Sequence, residues 1–239
     1  MPDLPRFLLL HGAFHVGTAW DGVIAALAET GFAAEAITFP GHGRSVGRAG
    51  VAFADYEDAL IAALDRQPRP VILVGHSAAG VVMQAAAPRS PDKVAAAVFH
   101  NAFILEHDRS MIESIPPDGA AAAAPDNSLA VDAGFVAQVL MAGADAAAID
   151  RTLAELVPQP FGYYTHRVDT RPFAAMTCPR YVLLAADDAS LPREAWLAMA
   201  GHLGDYKLFE MPGGHEALYT DPESLARALA AIARDFDAS

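Results

Sequence analysis

One short segment has the residue types and spacing of an activated nucleophile. Ser77 lies in Gly75-His76-Ser77-Ala78-Ala79-Gly80, between an apolar run and a segment of small residues with helical spacing. A serine at such a strand-to-helix turn exposes its hydroxyl on a tight, strained bend, as in the G-x-S-x-G motif. Ala79 replaces the second glycine of that motif and adds one methyl group at a crowded point. The segment predicts that Ser77 is a nucleophile.

A serine hydroxyl needs a base, and the base needs an acid that orients it. His215 follows the apolar run Tyr206–Met211, and Asp187-Asp188 follow the apolar run Tyr181–Ala186. Both groups thus lie where strands end, and the loops at the carboxyl ends of parallel strands build active sites. His215 is the predicted base. The spacing alone leaves the acid open between Asp187 and Asp188.

Acyl transfer also needs backbone amides that bind the developing oxyanion. The amide of Ala78, directly after the serine, is one candidate. The loop after the first apolar run supplies the second, because Gly12 permits unusual backbone angles and would turn the amide of Ala13 inward.

Metal and cofactor chemistry are not expected. His11 and His15 are four residues apart, but they lie in a loop rather than on a helix face, and no third ligand accompanies them. His215-Glu216 does not open an H-E-x-x-H motif, because Tyr219 stands where the second histidine would be. The first turn also lacks the G-x-G-x-x-G pattern of dinucleotide-binding folds.

Strands and helices are predicted to alternate along the chain. The strand candidates are Phe7–Leu10, Ala34–Phe39, Val71–Val74, Val94–Phe99, Tyr181–Ala186 and Tyr206–Met211, and the helix candidates are Trp20–Thr30, Tyr56–Arg66, Ala78–Ala87, Arg193–His202 and Pro222–Phe236. This order predicts an α/β fold with a doubly wound, mostly parallel sheet. Asp221 is the expected cap of the last helix. The alternation stops between about Leu105 and Pro172, which indicates an insertion over the sheet.

Composition limits the classes of partner. The chain has 239 residues, 53% of them hydrophobic, and a formal charge of −13 without a basic run. A globular protein that does not bind nucleic acid is expected. No apolar run is long enough to cross a bilayer, so no membrane partner is expected. The single cysteine, Cys178, needs no oxidising compartment, and a cytoplasmic location is predicted.

Six segments together resemble the α/β-hydrolase superfamily, and within it the branch of plant methylesterases and hydroxynitrile lyases. They are HGAFHVGTAW at 11–20, FPGHGRS at 39–45, GHSAAG at 75–80, LVPQPF at 156–161, YVLLAADDASLP at 181–192 and GGHEALYTDPESLA at 213–226. The resemblance implies a hydrolase core over 1–104 and 173–239 with a helical lid over 105–172. It also favours Asp188 as the acid, four residues before Pro192, with Asp187 as the alternative.

The same resemblance bears on the reaction. Lyases of this branch have threonine at the position of Gly12 and a lysine, which receives cyanide, at the position of Glu216. The chain matches the esterase pattern at both. The expected activity is therefore hydrolysis of a small or aromatic carboxylic ester, such as a methyl ester or a lactone, through an acyl-enzyme. A lyase on the same residues and a catalytically silent binding protein are the alternatives.

The substrate is expected to be a small-molecule ester, and the chain to act either alone or as a homodimer. Candidate substrate contacts are Gly12, Phe14 and His15 on the first loop, and Phe135, Leu140, Phe161, Tyr163, Tyr164 and His166 in the insertion. Each of them has an alternative interpretation as a residue of the packed interior.

Overall fold

The structure is a computed structural model that describes residues 4–43, 47–115 and 124–238. Part of the FPGHGRS segment and the greater part of the alanine tract at 120–124 lie outside the described residues.

The described residues form strands and helices in alternation. The strands are β1 Arg6–Leu10, β2 Ala34–Ile37, β3 Val71–His76, β4 Val94–His100, β5 Ser128–Leu129, β6 Gln159–Pro160, β7 Arg180–Ala185 and β8 Lys207–Met211. The α-helices are α1 Asp21–Glu29, α2 Phe53–Asp65, α3 Ala79–Ala86, α4 Ala133–Phe135, α5 Ala146–Glu155, α6 Gly162–Thr165, α7 Arg171–Ala174, α8 Arg193–Ala200, α9 Ala217–Thr220 and α10 Pro222–Asp237. A π-helical turn, Val136–Leu140, follows α4.

Six strands form one parallel sheet in the order β2-β1-β3-β4-β7-β8. All six were predicted from apolar runs, most of them continuous, and the predicted doubly wound α/β fold is confirmed. β3 runs two residues beyond the predicted end, because Gly75 and His76 continue the ladder against Phe99 and His100. The carboxyl ends of all six strands lie at one edge of the sheet.

Apolar side chains cover both faces of this sheet. Along β1, Leu8 and Leu10 face the cluster that holds α2, α3 and α8, whereas Phe7 and Leu9 face the cluster that holds α1 and α10. This two-sided burial explains why the central strands β1, β3, β4 and β7 are apolar without alternation, while the edge strands β2 and β8 are less buried. The last helix begins at Pro222 as predicted, since the carboxylate of Asp221 accepts a hydrogen bond from the amide of Ser224 at 3.0 Å.

Between β4 and β7 the chain leaves the sheet. This stretch contains α4 to α7 and a short antiparallel pair, in which Ser128 lies opposite Pro160. Its own apolar cluster is centred on Val136, Leu140 and Met141. The limits of the lid at 105 and 172 stay a prediction. Within the described ranges, no helix is long and apolar enough to cross a membrane.

Candidate active site

Ser77 lies on a strained turn between β3 and α3. Its φ angle is 52°, in the left-handed region that non-glycine residues seldom adopt. The turn is held on both sides, because the amide of Ser77 donates to the carbonyl of His100 at 3.2 Å and the carbonyl of Ser77 accepts from Phe103 at 3.0 Å. Strain of this kind persists only when the surrounding structure holds it. The predicted strand-to-helix context of Ser77 is therefore present.

Close packing around this turn depends on two glycines. A Cβ atom at Gly75 would collide with the sulfur of Met83, and one at Gly80 would collide with the carbonyl oxygen of Phe103. Ala79 is buried and lines a small cavity of about 10 Å³ next to α3. The sequence placed the crowding at Ala79, but the critical close approach is one residue later, at Gly80. The missing glycine of the motif is thus compatible with the turn.

His215 lies on the loop after β8 and contacts Asp188, which follows β7. The Nδ1 atom of His215 donates to Oδ2 of Asp188 at 2.8 Å, and both side chains are buried. Burial alone would lower the pKa of His215, but the charge of Asp188 and this hydrogen bond raise it above its ordinary value. Burial likewise acts to raise the pKa of Asp188, yet His215 and the hydrogen bonds from its neighbours lower it.

Asp187 faces away from the histidine. Its carboxylate accepts from the amide of Gly213 at 3.1 Å, and the residue is exposed. Of the two aspartates, the structure therefore pairs Asp188 with His215.

Two residues that the sequence analysis did not consider hold Asp188. The Nδ2 of Asn101 donates to Oδ2 of Asp188 at 2.6 Å, and the hydroxyl of Ser190 donates to Oδ1 at 2.5 Å. Asn101 is itself fixed, because its Oδ1 accepts from the amide of Ala185 at 2.7 Å. A signal was available for both residues. Asn101 lies two residues after the predicted strand Val94–Phe99, and Ser190 has the spacing of a turn stabilised by an aspartate.

The backbone amides of Ala13 and Ala78 are free to bind a ligand. Neither donates to an acceptor elsewhere in the described parts of the chain. Gly12 allows the two segments to approach, since a Cβ atom there would lie 3.0 Å from the Cβ of Ser77. Phe14, with a φ of 68°, turns the loop back. Two amides without an acceptor, next to the nucleophile, are the kind of donors that an oxyanion site needs.

Ser77 and His215 line the same cavity, which has a volume of about 470 Å³. Its wall also contains Ala13, Phe14, His15, Phe103, Met111, Ile115, Leu129, Ala130, Val131, Asp132, Phe135, Val136, Leu140, Tyr164, Ser190, Leu191 and Glu216. Apolar side chains predominate, and no lysine or arginine of the described residues lies in the wall. Such a cavity is suited to an uncharged, apolar molecule.

The predicted substrate contacts divide into two groups. Phe14, His15, Phe135, Leu140 and Tyr164 line the cavity.

The second group of predicted substrate contacts does not line this cavity; it consists of Gly12, Phe161, Tyr163 and His166. The hydroxyl of Tyr163 donates to the carbonyl of Ala78 instead, behind the nucleophile. His166 stacks on the ring of Phe53 at 4.3 Å between centroids. Tyr163 is therefore part of the packed interior, whereas His166 is an exposed residue packed on Phe53.

No group of three or more histidine, cysteine or acidic side chains is arranged to hold a metal ion in the described ranges. His11 and His15 do not converge: Nε2 of His11 accepts from the amide of Phe39 at 3.0 Å, while Nε2 of His15 faces Glu216 at 3.0 Å.

Comparison with known proteins shows what the chain is similar to. The carbendazim hydrolyzing esterase of Nocardioides sp. (strain SG-4G) is 26% identical to this chain over an alignment of 254 positions, gaps included, which covers 96% of this chain and 100% of that protein. The (S)-hydroxynitrile lyase of Manihot esculenta is 33% identical over 123 residues, 46% of this chain and 47% of the lyase. The crystal structure of a methylesterase protein, MES16, from Arabidopsis shares the fold, with a TM-score of 0.80 at 18% identity over 97% of this chain and 100% of that one.

The resemblance to the methylesterase and hydroxynitrile lyase branch is thus confirmed. The sequence profile described as "Alpha/beta hydrolase family" matches residues 7–228, nearly the whole chain. The protein belongs to the alpha/beta hydrolase family.

Proposed function

We propose that this protein is a serine hydrolase that cleaves a carboxylic ester through an acyl-enzyme. The observation that carries the proposal is one cavity lined by a serine on a strained turn, by a histidine bonded to a buried aspartate, and by Ala13, whose backbone amide is free, as is the amide of Ala78 directly after the serine. The four parts have complementary roles in acyl transfer. Relatives that are named esterases support the same reaction class.

In the first half of the reaction, the Ser77 oxygen attacks the ester carbonyl carbon and His215 takes the hydroxyl proton. Asp188 stabilises the imidazolium that forms. The carbonyl oxygen becomes an oxyanion and accepts hydrogen bonds from the amides of Ala13 and Ala78. The bond to the alcohol oxygen then breaks, and His215 returns the proton to the alcohol, which leaves.

The second half repeats these steps with water. His215 takes a proton from a water molecule, whose oxygen attacks the acyl carbon. The bond to Ser77 breaks, the serine oxygen recovers the proton, and the carboxylic acid departs. The raised pKa of His215 suits this role, because a stronger base is better able to accept the proton.

The proposed substrate is an uncharged small or aromatic ester, including methyl esters and lactones. The apolar wall supports this class, and the carboxylates of Asp132 and Glu216 in the wall disfavour an anionic ester. A homodimer and a cytoplasmic location are further proposals. With Cys178 as its single cysteine, the chain forms no internal disulfide and does not depend on an oxidising compartment.

A lyase reaction on the same residues is less well supported. Where a lyase of this branch would have a lysine to receive cyanide, this chain has Glu216, whose ordinary charge is negative. Cyanide release from an aromatic cyanohydrin at a rate comparable to ester hydrolysis would overturn the esterase assignment.

The proposal is tested with a panel of neutral methyl and aryl esters, lactones, and anionic analogues of the same esters. The wild type is expected to hydrolyse neutral members faster than their anionic analogues, and Ser77→Ala is expected to lose about 10⁵-fold or more in kcat. Hydrolysis by Ser77→Ala at the wild-type rate, or no hydrolysis of any ester by the wild type, would contradict it.

A further inference from the structure

Glu216 is a buried carboxylate that the proposed reaction does not use. It directly follows the base, His215, and is 1% exposed. Its Oε2 lies 3.0 Å from Nε2 of His15, while its Oε1 is buried without a hydrogen-bond partner among the described residues. A buried carboxylate is costly unless it is paired, so the contact with His15 needs an explanation.

His15 joins Glu216 to the loop that provides an oxyanion amide. Its Nδ1 lies 2.5 Å from the carbonyl oxygen of Ala13. Because a carbonyl oxygen can only accept, Nδ1 must donate there. The remaining nitrogen, Nε2, is the one that meets Glu216.

Both ring nitrogens of His15 therefore face an acceptor. Burial acts to raise the pKa of Glu216, but the charge and hydrogen bond of His15 hold that pKa below its ordinary value. The ring of His15 is thus held between the carbonyl oxygen of Ala13 and the carboxylate of Glu216, and its contact with the carboxylate is charge-assisted. Hydrogen bonds of this charge-assisted kind are the stronger class.

The result is a short chain of contacts between the two halves of the catalytic site. At one end, Glu216 is covalently joined to His215, and its carbonyl accepts from Tyr219 and Thr220 in α9 at 2.9 and 3.0 Å. At the other end is Ala13, whose amide is a proposed oxyanion donor.

Other contacts hold the residues after Ala13. The amide of Phe14 donates to Oε1 of Gln159 at 3.3 Å, and its carbonyl accepts from Val157 at 2.8 Å. The carbonyl of His15 accepts from Nδ1 of His42 at 2.8 Å. The His15 ring thus supplies the side-chain contact to Ala13 itself.

We propose that Glu216 and His15 are positioning residues for ester hydrolysis, an inference that rests on the function proposed above. Glu216 fixes the His15 ring, and the ring holds the Ala13 peptide, so the Ala13 amide stays aligned relative to His215. Fixed donors stabilise the oxyanion without reorganising when it forms. The pair therefore contributes to the transition state more than to binding of the ester.

The first experiment measures kcat, KM and thermal unfolding for Glu216→Leu, Glu216→Gln and the double variant Glu216→Leu/His15→Leu. We expect Glu216→Leu to lower kcat by about 10- to 100-fold with little change in KM, because an oxyanion donor loses its alignment. Glu216→Gln keeps an oxygen acceptor for His15 and should recover most of that loss. The double variant should be no slower than Glu216→Leu, since the two residues act as a unit.

The chain offers a matched control in a second histidine–carboxylate pair. His107 and Asp169 are 3.2 Å apart and exposed, and neither lines the cavity. Asp169→Asn should leave kcat and KM at their wild-type values. If Glu216 had a structural role alone, its substitution would lower the unfolding temperature but would not lower kcat selectively while KM stays unchanged.

A second measurement uses the wild-type chain and so does not depend on the folding of a variant. Nitrogen-15 NMR of the histidine rings should show a proton on Nδ1 of His15, the nitrogen that donates to the carbonyl of Ala13. A His15 ring without a proton on Nδ1, or a folded Glu216→Leu variant with the wild-type kcat, would overturn the inference alone. A wild type that hydrolyses no ester would overturn the proposed function and this inference with it.

Discussion

At the scale of residues, the site depends on how each polar side chain is constrained by its neighbours. Asp188 accepts from His215, Asn101 and Ser190, so its carboxylate has one position relative to the histidine ring. Asp187, although adjacent in sequence, is bonded to the loop amide of Gly213. The two aspartates therefore have different environments, and substitutions at them should have different consequences.

The first prediction compares Asp188→Asn with Asp187→Asn. His215 must be neutral to act as a base, and its pKa is raised above the ordinary value of 6.5. The acidic limb of kcat/KM should therefore have its midpoint above pH 6.5 in the wild type. Asp188→Asn removes the charge that raises this pKa, so the limb should move to lower pH, and kcat should fall by about 10³- to 10⁴-fold.

Asp187→Asn is the control, and its pH profile should match that of the wild type. The measurement is kcat/KM from pH 4 to 9 on one neutral ester. If Asp187→Asn moved the acidic limb and Asp188→Asn did not, the acid would be Asp187 and the assignment to Asp188 would be wrong.

The sequence predicted where the candidate site residues lie better than it predicted their surroundings. Ser77, His215 and Asp188 follow strands, and the ends of parallel strands meet at one edge, so their proximity followed from order alone. Tyr163 and Phe161 could not be placed in this way. Whether an aromatic ring in the insertion faces the cavity or the interior depends on packing, which has no short-range pattern.

At the scale of elements, the turn between β3 and α3 depends on the glycine at position 80. A methyl group there would collide with the backbone oxygen of Phe103. This oxygen cannot move unless the main chain around Phe103 moves with it. At Gly75 the obstacle is the end of the Met83 side chain, which is flexible. The two glycines should therefore differ in their tolerance of alanine.

The second prediction is that Gly80→Ala destabilises the protein more than Gly75→Ala does. Overpacking of this kind lowers the free energy of unfolding by about 1–3 kcal/mol. Ala79→Gly, which restores the sequence motif, should instead cost about 0.5–1 kcal/mol through the flexibility of glycine in a helix. Urea unfolding of the three variants measures these values. A stabilising effect of Ala79→Gly would show that Ala79 is strained.

The central strands β1, β3, β4 and β7 were predictable because they are buried on both faces and thus almost continuously apolar. The short pair β5–β6 was not predicted. Each of its strands has two residues, so neither contains the periodicity from which a strand is recognised.

At the scale of the whole molecule, four histidines are buried in the neutral form. Burial lowers the pKa of His42 and of His100 to about 4, and it lowers the pKa of His11 and His76 well below the ordinary value. In the unfolded chain these side chains titrate near 6.5. The unfolded state therefore binds more protons than the folded state below that pH.

The third prediction is that stability falls as the pH decreases from 6.5 towards 4. The slope of the unfolding free energy against pH is proportional to the number of protons bound by the unfolded chain minus the number bound by the folded chain. In this window that difference is positive for the four histidines, so their contribution to stability rises with pH. Chemical unfolding at a series of pH values measures the slope. His100→Gln should reduce the slope by up to about one proton, or about 1.4 kcal/mol per pH unit. A slope unchanged by this substitution would show that His100 is not buried as the neutral form.

The central claim is that Ser77 forms an acyl-enzyme, and the most direct test is the mass of the protein after reaction with a fluorophosphonate. This reagent labels a serine only when a neighbouring base activates it. The wild type should gain one adduct, located by peptide mapping on Ser77, while His215→Ala should react far more slowly and Ser77→Ala not at all. An adduct on another residue, or none on a wild-type chain that hydrolyses esters, would contradict the account.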